Sequence, residues 1–187
     1  MIELIKYLNS FQKLDAETEQ AINKYFIKET FKKNEFIVKE GAVCTKVYFI
    51  ESGLVRRFYI KDGREITRWI YDINHLMTMM NSYFLQQPTR EYLQACENTV
   101  TYSISFSDEQ KLLEYPLFAK CHIIQLRLYT ATVSEFQKNY DLKTAQEKYS
   151  YILKYFPGMI QKAKLQHIAS LINVSPETLS RIRASIT

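Results

Sequence analysis

LQHIASLINVSPETLSRIRA, residues 165–184, reads as two short helices crossing at a tight turn. Ile168, Ile172, Val174, Leu179 and Ile182 fall where such a pair must bury apolar groups, and Ala169 supplies the small side chain that a close crossing demands. Asn173 stands at the turn, where glycine is usual and asparagine is the next residue most able to adopt a left-handed backbone. Ser175 is placed to cap the second helix, Pro176 suits its first position, and Glu177 lies in its first turn, where the helix dipole favours negative charge. Leu179, Ile182 and Ile186 then form one apolar stripe, which leaves Glu177, Ser180, Arg181 and Arg183 mostly on other faces. The stretch predicts a helix-turn-helix.

Outward from it, 187 residues with 47% apolar content are enough for one domain or two small ones with a sizeable core. The formal charge of +5 is a weak pointer to an acidic partner, but its distribution is uneven. Residues 157–187 carry Lys162, Lys164, Arg181 and Arg183 against Glu177 alone, so +3 of the +5 sits at the end of the chain. Cys44, Cys96 and Cys121 are far apart and include no C-x-x-C pair, which reads as buried reduced thiols and argues against a disulfide framework or a metal cluster. The opening M-I-E-L-I-K is charged too early for a secretory signal, and no apolar run approaches the roughly 18 residues of a membrane helix. The expectation is a cytoplasmic protein with no membrane partner.

Residues 2 to about 29 mix Leu and Ile with charges at helical spacing and predict one or two amphipathic helices. From Phe36 to about Tyr71 the chain is rich in Val, Ile, Phe and Tyr and is broken by E-G (40–41), E-S-G (51–53) and K-D-G (61–63), which predicts short strands joined by turns. Residues 91–106 are a second β-like stretch, alternating around Val100, Tyr102, Ile104 and Phe106. Between them, residues 75–88 are irregular and rich in methionine. Ser107 and Asp108 open a helical region in which Leu117, Cys121, Ile124, Leu128 and Ala131 follow a 4-3-4-3 spacing, with Glu135 and Lys138 on the next seam positions. That stripe fits either a core helix packed on the β-domain or a dimer helix. Thr144 and Glu147 form a T-x-x-E capping box, so a further helix is expected from about 145 to 156, stopped by Pro157 and Gly158. The fold class is α+β.

The whole chain resembles the Crp/Fnr superfamily of transcription regulators, most strongly in V-S-P-E-T-L-S-R-I, which is similar to the family's recognition-helix motif S-R-E-T-V-S-R. E-G, V-Y-F-I-E-S-G and K-D-G match turns of the family's β-roll. The resemblance implies a β-roll sensor with N-terminal helices over 1–115, like a cyclic-nucleotide-binding jelly roll, then a dimerisation helix over 116–140 and a helix-turn-helix over 141–187. It implies a homodimer facing double-stranded DNA, with RNA polymerase as a further partner and Leu117, Cys121, Ile124, Leu128 and Ala131 in the dimer seam. Glu177 and Arg181 match the positions that contact base edges; Arg181 can donate to guanine O6 and N7, and Glu177 can accept from cytosine N4. Ser175, Thr178 and Ser180 suit phosphate or sugar contacts, as Lys164 and Gln166 do at the start of the preceding helix, while Arg183 is either a DNA contact or merely solvated. Pro176 stands where many relatives have an arginine, so sequence preference is expected to differ. Relatives usually continue into a small β-wing; this sequence stops at Thr187, so the resemblance implies low affinity per subunit and a greater need for a dimer, its two recognition helices about 34 Å apart on a palindrome.

The sensor also departs from the family. Relatives that bind cyclic nucleotides hold the phosphate with a short helix opened by Gly-Glu and with an arginine followed by a small residue. Here the matching stretch is H-L-M-T-M-M-N-S-Y followed by P-T-R-E-Y, without glycine, and Arg90 is about one position displaced, which on a strand turns a side chain to the other face. Neither cyclic AMP nor cyclic GMP is expected to bind. Met77, Thr78, Tyr83, Thr89 and Arg90 are the candidate effector pocket, although Met77, Met79 and Met80 with Tyr83 and Phe84 are better read as an adaptable core than as the lining of an apolar pocket. The effector is unknown, and no cofactor or metal is expected: the cysteines are too scattered for an iron–sulfur cluster, and nothing supports haem at His75 or His122. An enzyme is disfavoured because His75, His122 and His167 are scattered and no nucleophile motif occurs. The remaining alternative is a β-roll interaction or ligand-sensing module whose DNA binding has decayed.

Overall fold

A computed structural model describes residues 1–140, with 138–140 as backbone alone, and residues 143–186. The expected boundary at residue 141, the Lys138 side chain and Thr187 lie outside the described residues.

The chain opens with two short helices, α1 (Ile2–Asn9) and α2 (Ala16–Tyr25). Asp15 caps α2 by accepting from the Thr18 amide at 2.9 Å. The helical pattern was expected to reach about residue 29. It stops earlier, because Phe26 is already extended (φ −84, ψ 127) and Ile27–Phe31 pairs as strand β1.

Two four-stranded antiparallel sheets follow. The first runs in the order β1, β8 (Thr99–Ser105), β3 (Lys46–Ser52), β6 (Leu76–Met77); the second runs β2 (Phe36–Val38), β7 (Tyr92–Ala95), β4 (Val55–Lys61), β5 (Arg64–Tyr71). Val38, Cys44, Tyr48, Ile50, Val55, Met77, Met79 and Leu93 form the buried layer linking the two. The E-S-G turn before β4 fixes how the sheets approach. Gly53 has φ 106, and a Cβ there would lie 2.7 Å from the Thr99 Cα, so no other residue fits without moving β8. The irregular methionine-rich stretch contains β6 and a short helix, α3 (Met80–Leu85), which Gln86 ends in a left-handed conformation.

A second core lies on the other side of the first sheet, where Phe49, Tyr102 and Ile104 meet Leu4, Leu8 and Ile22 of α1 and α2. It is completed by α4 (Phe106–Leu112), which Ser105 caps through the Asp108 amide at 3.1 Å, and by the first turns of α5 (Pro116–Tyr140). Next come α6 (Ala145–Tyr155), α7 (Pro157–Lys162), α8 (Leu165–Leu171) and α9 (Pro176–Ile186). The Thr144–Glu147 capping box forms, with both reciprocal bonds present. Pro157 ends α6 and starts α7 in one step, since its missing N–H costs nothing in a first helical turn.

The third core ties these last helices to the β-roll. Leu54 and Ile70 of the second sheet are buried with Tyr149, Ile152, Met159, Ile168, Ala169, Leu171, Ile172 and Leu179. Trp69 stands edge-on to Phe136 of α5 (5.3 Å) and to Phe156 (5.0 Å), joining β5, α5 and the α6–α7 corner. None of the helices among the described residues is long and apolar enough to cross a membrane.

Candidate nucleic-acid interface

The α8–α9 pair is built as the apolar spacing requires. Ile168, Ala169, Ile172 and Leu179 are all at most 2% exposed, with Val174 and Ile182 packed at the rim. Asn173 has φ 61, the left-handed turn, and the Val174 amide beside it donates to the Ala169 carbonyl at 3.0 Å. Ser175 caps α9: its Oγ accepts from the Thr178 amide at 3.2 Å, and its carbonyl accepts from the Leu179 amide at 3.0 Å.

Lys164, Gln166, Ser175, Pro176, Glu177, Thr178, Ser180, Arg181 and Arg183 are all exposed. Glu177 and Arg181 are one helical turn apart, on the face opposite the fully buried Leu179. Arg183 lies to the flank. The Glu177 carboxyl is held below its ordinary value, first by the Ser175 hydroxyl, then by its own backbone N–H, with Arg181 contributing. It therefore stays an anion and an acceptor, although part of its bonding capacity serves the cap.

What the sequence did not reveal is how firmly this pair is seated on the β-roll. Ser170 of α8 fills the free edge of β5: its Oγ accepts from the Thr67 amide at 2.9 Å and donates to the Glu65 carbonyl at 3.2 Å. Lys162 reaches Asp72 at 2.9 Å. Arg56, only 5% exposed, is bound by Glu65 at 2.7 Å and by Gln94 Oε1 at 2.7 and 3.0 Å, and it stacks over Phe58. Next to it is His167, 6% exposed and 4.0 Å from the Cys96 Sγ. Burial, then the nearby Arg56 and Lys164 cations, push the imidazole down to about 4, so it is neutral at physiological pH. Burial likewise pushes the Cys96 thiol up to about 11. The apolar spacing of residues 168–182, the turn at Asn173 and the T-x-x-E box indicate packed C-terminal helices, but no sequence signal marks Ser170, Arg56 or His167 as their anchors on the β-roll.

The apolar spacing on α5 divides in two. Cys121 is fully buried, its thiol 3.4 Å from the Leu8 carbonyl, and Leu117 packs on the same core beneath α1. This corrects the reading of Cys121 as a seam residue and places Leu117 with it; the physical reason is that α1 covers these first turns, and an internal contact needs the same 3.5-residue period as a seam. Beyond α1 the helix emerges. Ile124 is half-buried, Leu128 is 51% exposed and Ala131 is exposed, beside Ile123 and Tyr129.

The five expected effector residues do not frame an opening. Met77, Thr78, Tyr83 and Thr89 are buried. The Thr78 hydroxyl donates to the Lys46 carbonyl (2.8 Å), Tyr83 donates to Glu109 (2.7 Å), and Thr89 Oγ1 accepts from the Glu91 amide (3.1 Å). Arg90 is exposed. Met77, Met79 and Tyr83 of the methionine-rich stretch are thus core, with Thr78 and Tyr83 bonded to the chain itself, whereas Phe84 and Leu85 are exposed. A groove of about 350 Å³ opens elsewhere, lined by Phe36, Val38, Lys39, Val43, Lys46 and Tyr48 among others, and includes none of the five. A cation that the sequence did not single out lies across from Leu93 on β4: the buried Arg57 Nε has no hydrogen-bond partner, and its nearest carboxylate oxygen, on Glu91, is 3.7 Å away. Among the described residues no group of three or more His, Cys, Asp or Glu is placed to hold a metal ion.

Comparison with known proteins agrees with this architecture. Residues 28–115 match the cyclic nucleotide-binding domain family. No curated protein sequence matches the chain significantly. Among solved structures, the c-di-GMP responsive global regulator CLP of Xanthomonas campestris is similar over 92% of this chain and 91% of its own (TM-score 0.68, 15% identity). FixK2 of Bradyrhizobium japonicum matches over 86% and 84% (TM-score 0.64, 17% identity). The catabolite activator protein of Thermus thermophilus matches over 94% and 85% (TM-score 0.55, 21% identity). Residues 28–115 are therefore similar to the cyclic nucleotide-binding domain family, and the chain as a whole shares the overall fold of these three solved structures.

Proposed function

We propose that this chain is a cytoplasmic regulator of transcription that binds double-stranded DNA as a homodimer and reads a palindrome with α9. The observation that carries this reading is the outward face of α9, where Glu177 and Arg181 stand opposite the buried Leu179 on a helix held by the left-handed Asn173. Arg181 is the guanine reader, Glu177 the cytosine acceptor, and Lys164, Gln166, Ser175, Thr178 and Ser180 hold sugar and phosphate. The exposed part of α5, with Ile123, Ile124, Leu128 and Ala131, is the dimer seam, and RNA polymerase is the onward partner.

The β-roll does not respond to cyclic AMP or cyclic GMP in this reading. Support comes from the exposed Arg90 and from the internally bonded Thr78, Tyr83 and Thr89. Calorimetric titration with either nucleotide tests this, and micromolar affinity overturns it.

Selection of bound sequences from a random DNA pool tests the main reading. The expected product is a palindrome whose bound fraction falls steeply with salt and whose preferred bases change on Arg181→Ala. A preference left unchanged by that substitution removes the base-reading role. No DNA binding at any salt concentration favours a β-roll interaction module instead.

A further inference from the structure

We infer that the β4–β5 hairpin is a second DNA-contacting element, a ribbon beside the helix-turn-helix whose Lys61, Arg64 and Arg68 hold backbone phosphates flanking the bases read by α9. This rests on the DNA-binding reading and adds a surface to it.

The argument begins with the edge of the second sheet. β5 is its outermost strand, and α8 occupies that edge through the two Ser170 bonds to Thr67 and Glu65. Gln166 and Ser170 are four residues apart on α8, so they share one face of the helix. The hairpin therefore continues, past Ser170, the same face that offers Gln166, close to Lys164 at the start of the helix. The turn Lys61-Asp62-Gly63-Arg64 begins one residue beyond Glu65, which at roughly 3.4 Å per residue keeps its cations near α8.

Charge and local geometry agree. The Glu65 carboxylate is drawn off by Arg56 at 2.7 Å, which leaves Asp62 as the one carboxylate of the turn. Lys61, Arg64 and Arg68 are exposed, and none forms an ion pair with another described residue. Arg68 is the extra residue of a β-bulge: Thr67 pairs with Phe58 and Trp69 with Arg57, so Arg68 has no partner in the register. A bulge of this kind re-aims a side chain that a regular ladder would hold in the pleat. Cations on a twisted ribbon suit phosphate oxygens and read no bases, so the expected partner is the sugar–phosphate backbone next to the recognised site.

The test uses the full chain and its selected DNA site with about ten base pairs of flank on each side, one helical turn. Each lost phosphate contact makes the slope of log affinity against log salt shallower by about 0.9. Because a homodimer carries each substitution twice, the Lys61→Gln/Arg64→Gln variant is expected to lose about four such increments with its preferred sequence unchanged, and Arg68→Gln about two. Trimming the flanks should abolish the difference from wild type. Lys13→Gln/Lys24→Gln, the same charge change near α2, should leave the slope alone. A slope unchanged in the hairpin variants, or reduced as much in the α2 control, overturns the inference while Arg181-dependent binding survives. Wild-type protein that binds no DNA overturns the regulator reading and the hairpin with it.

Discussion

Gly158 and Asp72 approach so closely that a Cβ added to the glycine would lie 1.9 Å from the carboxylate Oδ2, while Oδ1 of the same group accepts from Lys162 at 2.9 Å. The first turn of α7 is thereby locked against the loop after β5. In an ordinary exposed helix, Gly→Ala gains about 0.5–1 kcal/mol. Here Gly158→Ala must displace an anchored carboxylate, and a net loss of about 1–2 kcal/mol is expected by the usual cost of overpacking. In an Asp72→Ala background the same change should become stabilising. Urea denaturation of the two single variants and the double variant measures this reversal of sign.

His167 makes the seating of α8 sensitive to acid. Its folded-state value lies near 4, below the ordinary 6.5, so the unfolded chain takes up a proton first as pH falls. Stability from this group is full above about 6.5, declines between 6.5 and 4, and is gone below that. A proton on His167 would add a third cation beside Arg56 and Lys164, with Glu65 the carboxylate that offsets them. At pH 5 the loss relative to pH 7 should be on the order of 2 kcal/mol. His167→Leu should flatten that part of the profile, as read from urea midpoints at the two pH values.

The turn between α8 and α9 is expected to accept glycine and reject β-branching. Asn173 has φ 61, so Asn173→Gly should change stability by less than about 1 kcal/mol, whereas Asn173→Val should cost about 1–3 kcal/mol. Thermal melting separates the two outcomes.

Ala169 lies at the crossing of the two helices and is 1% exposed. Ala169→Leu should cost about 1–3 kcal/mol through overpacking and should weaken the proposed DNA binding, because α9 is pushed off its bed. Chemical denaturation together with a gel-shift titration checks both effects.

All three thiols are free in the fold, and burial raises Cys96 and Cys121 to about 11. At neutral pH a thiol reagent should label neither at an appreciable rate until the protein unfolds, when three equivalents should react. Prompt labelling of native protein would contradict this packing.

The helix-turn-helix was legible because its constraints are local. A left-handed turn, a small crossing residue and a capped proline start each restrict the residue type at one position, and Asn173, Ala169 and Ser175 satisfy them in order. The turns at residues 41, 53 and 63 were legible for the same reason. The start of β1, residues 27–29, was misread because its membership of a sheet depends on β8, about seventy residues on. Leu117 and Cys121 show the limit of periodicity, since an internal partner and a second subunit ask for the same spacing and only the position of α1 distinguishes them. Ser170 carried no signal at all: a serine in an amphipathic helix is ordinary until an unpaired strand edge lies against it.

That last arrangement ties solubility to docking. The Thr67 amide and Glu65 carbonyl belong to a strand that would otherwise invite other strands to add to it, and one serine hydroxyl from a separate helical unit keeps them occupied. Any event that lifted α8 away would bare a strand ready for unwanted intermolecular pairing. The undocked form would then persist only while something else lay along that edge.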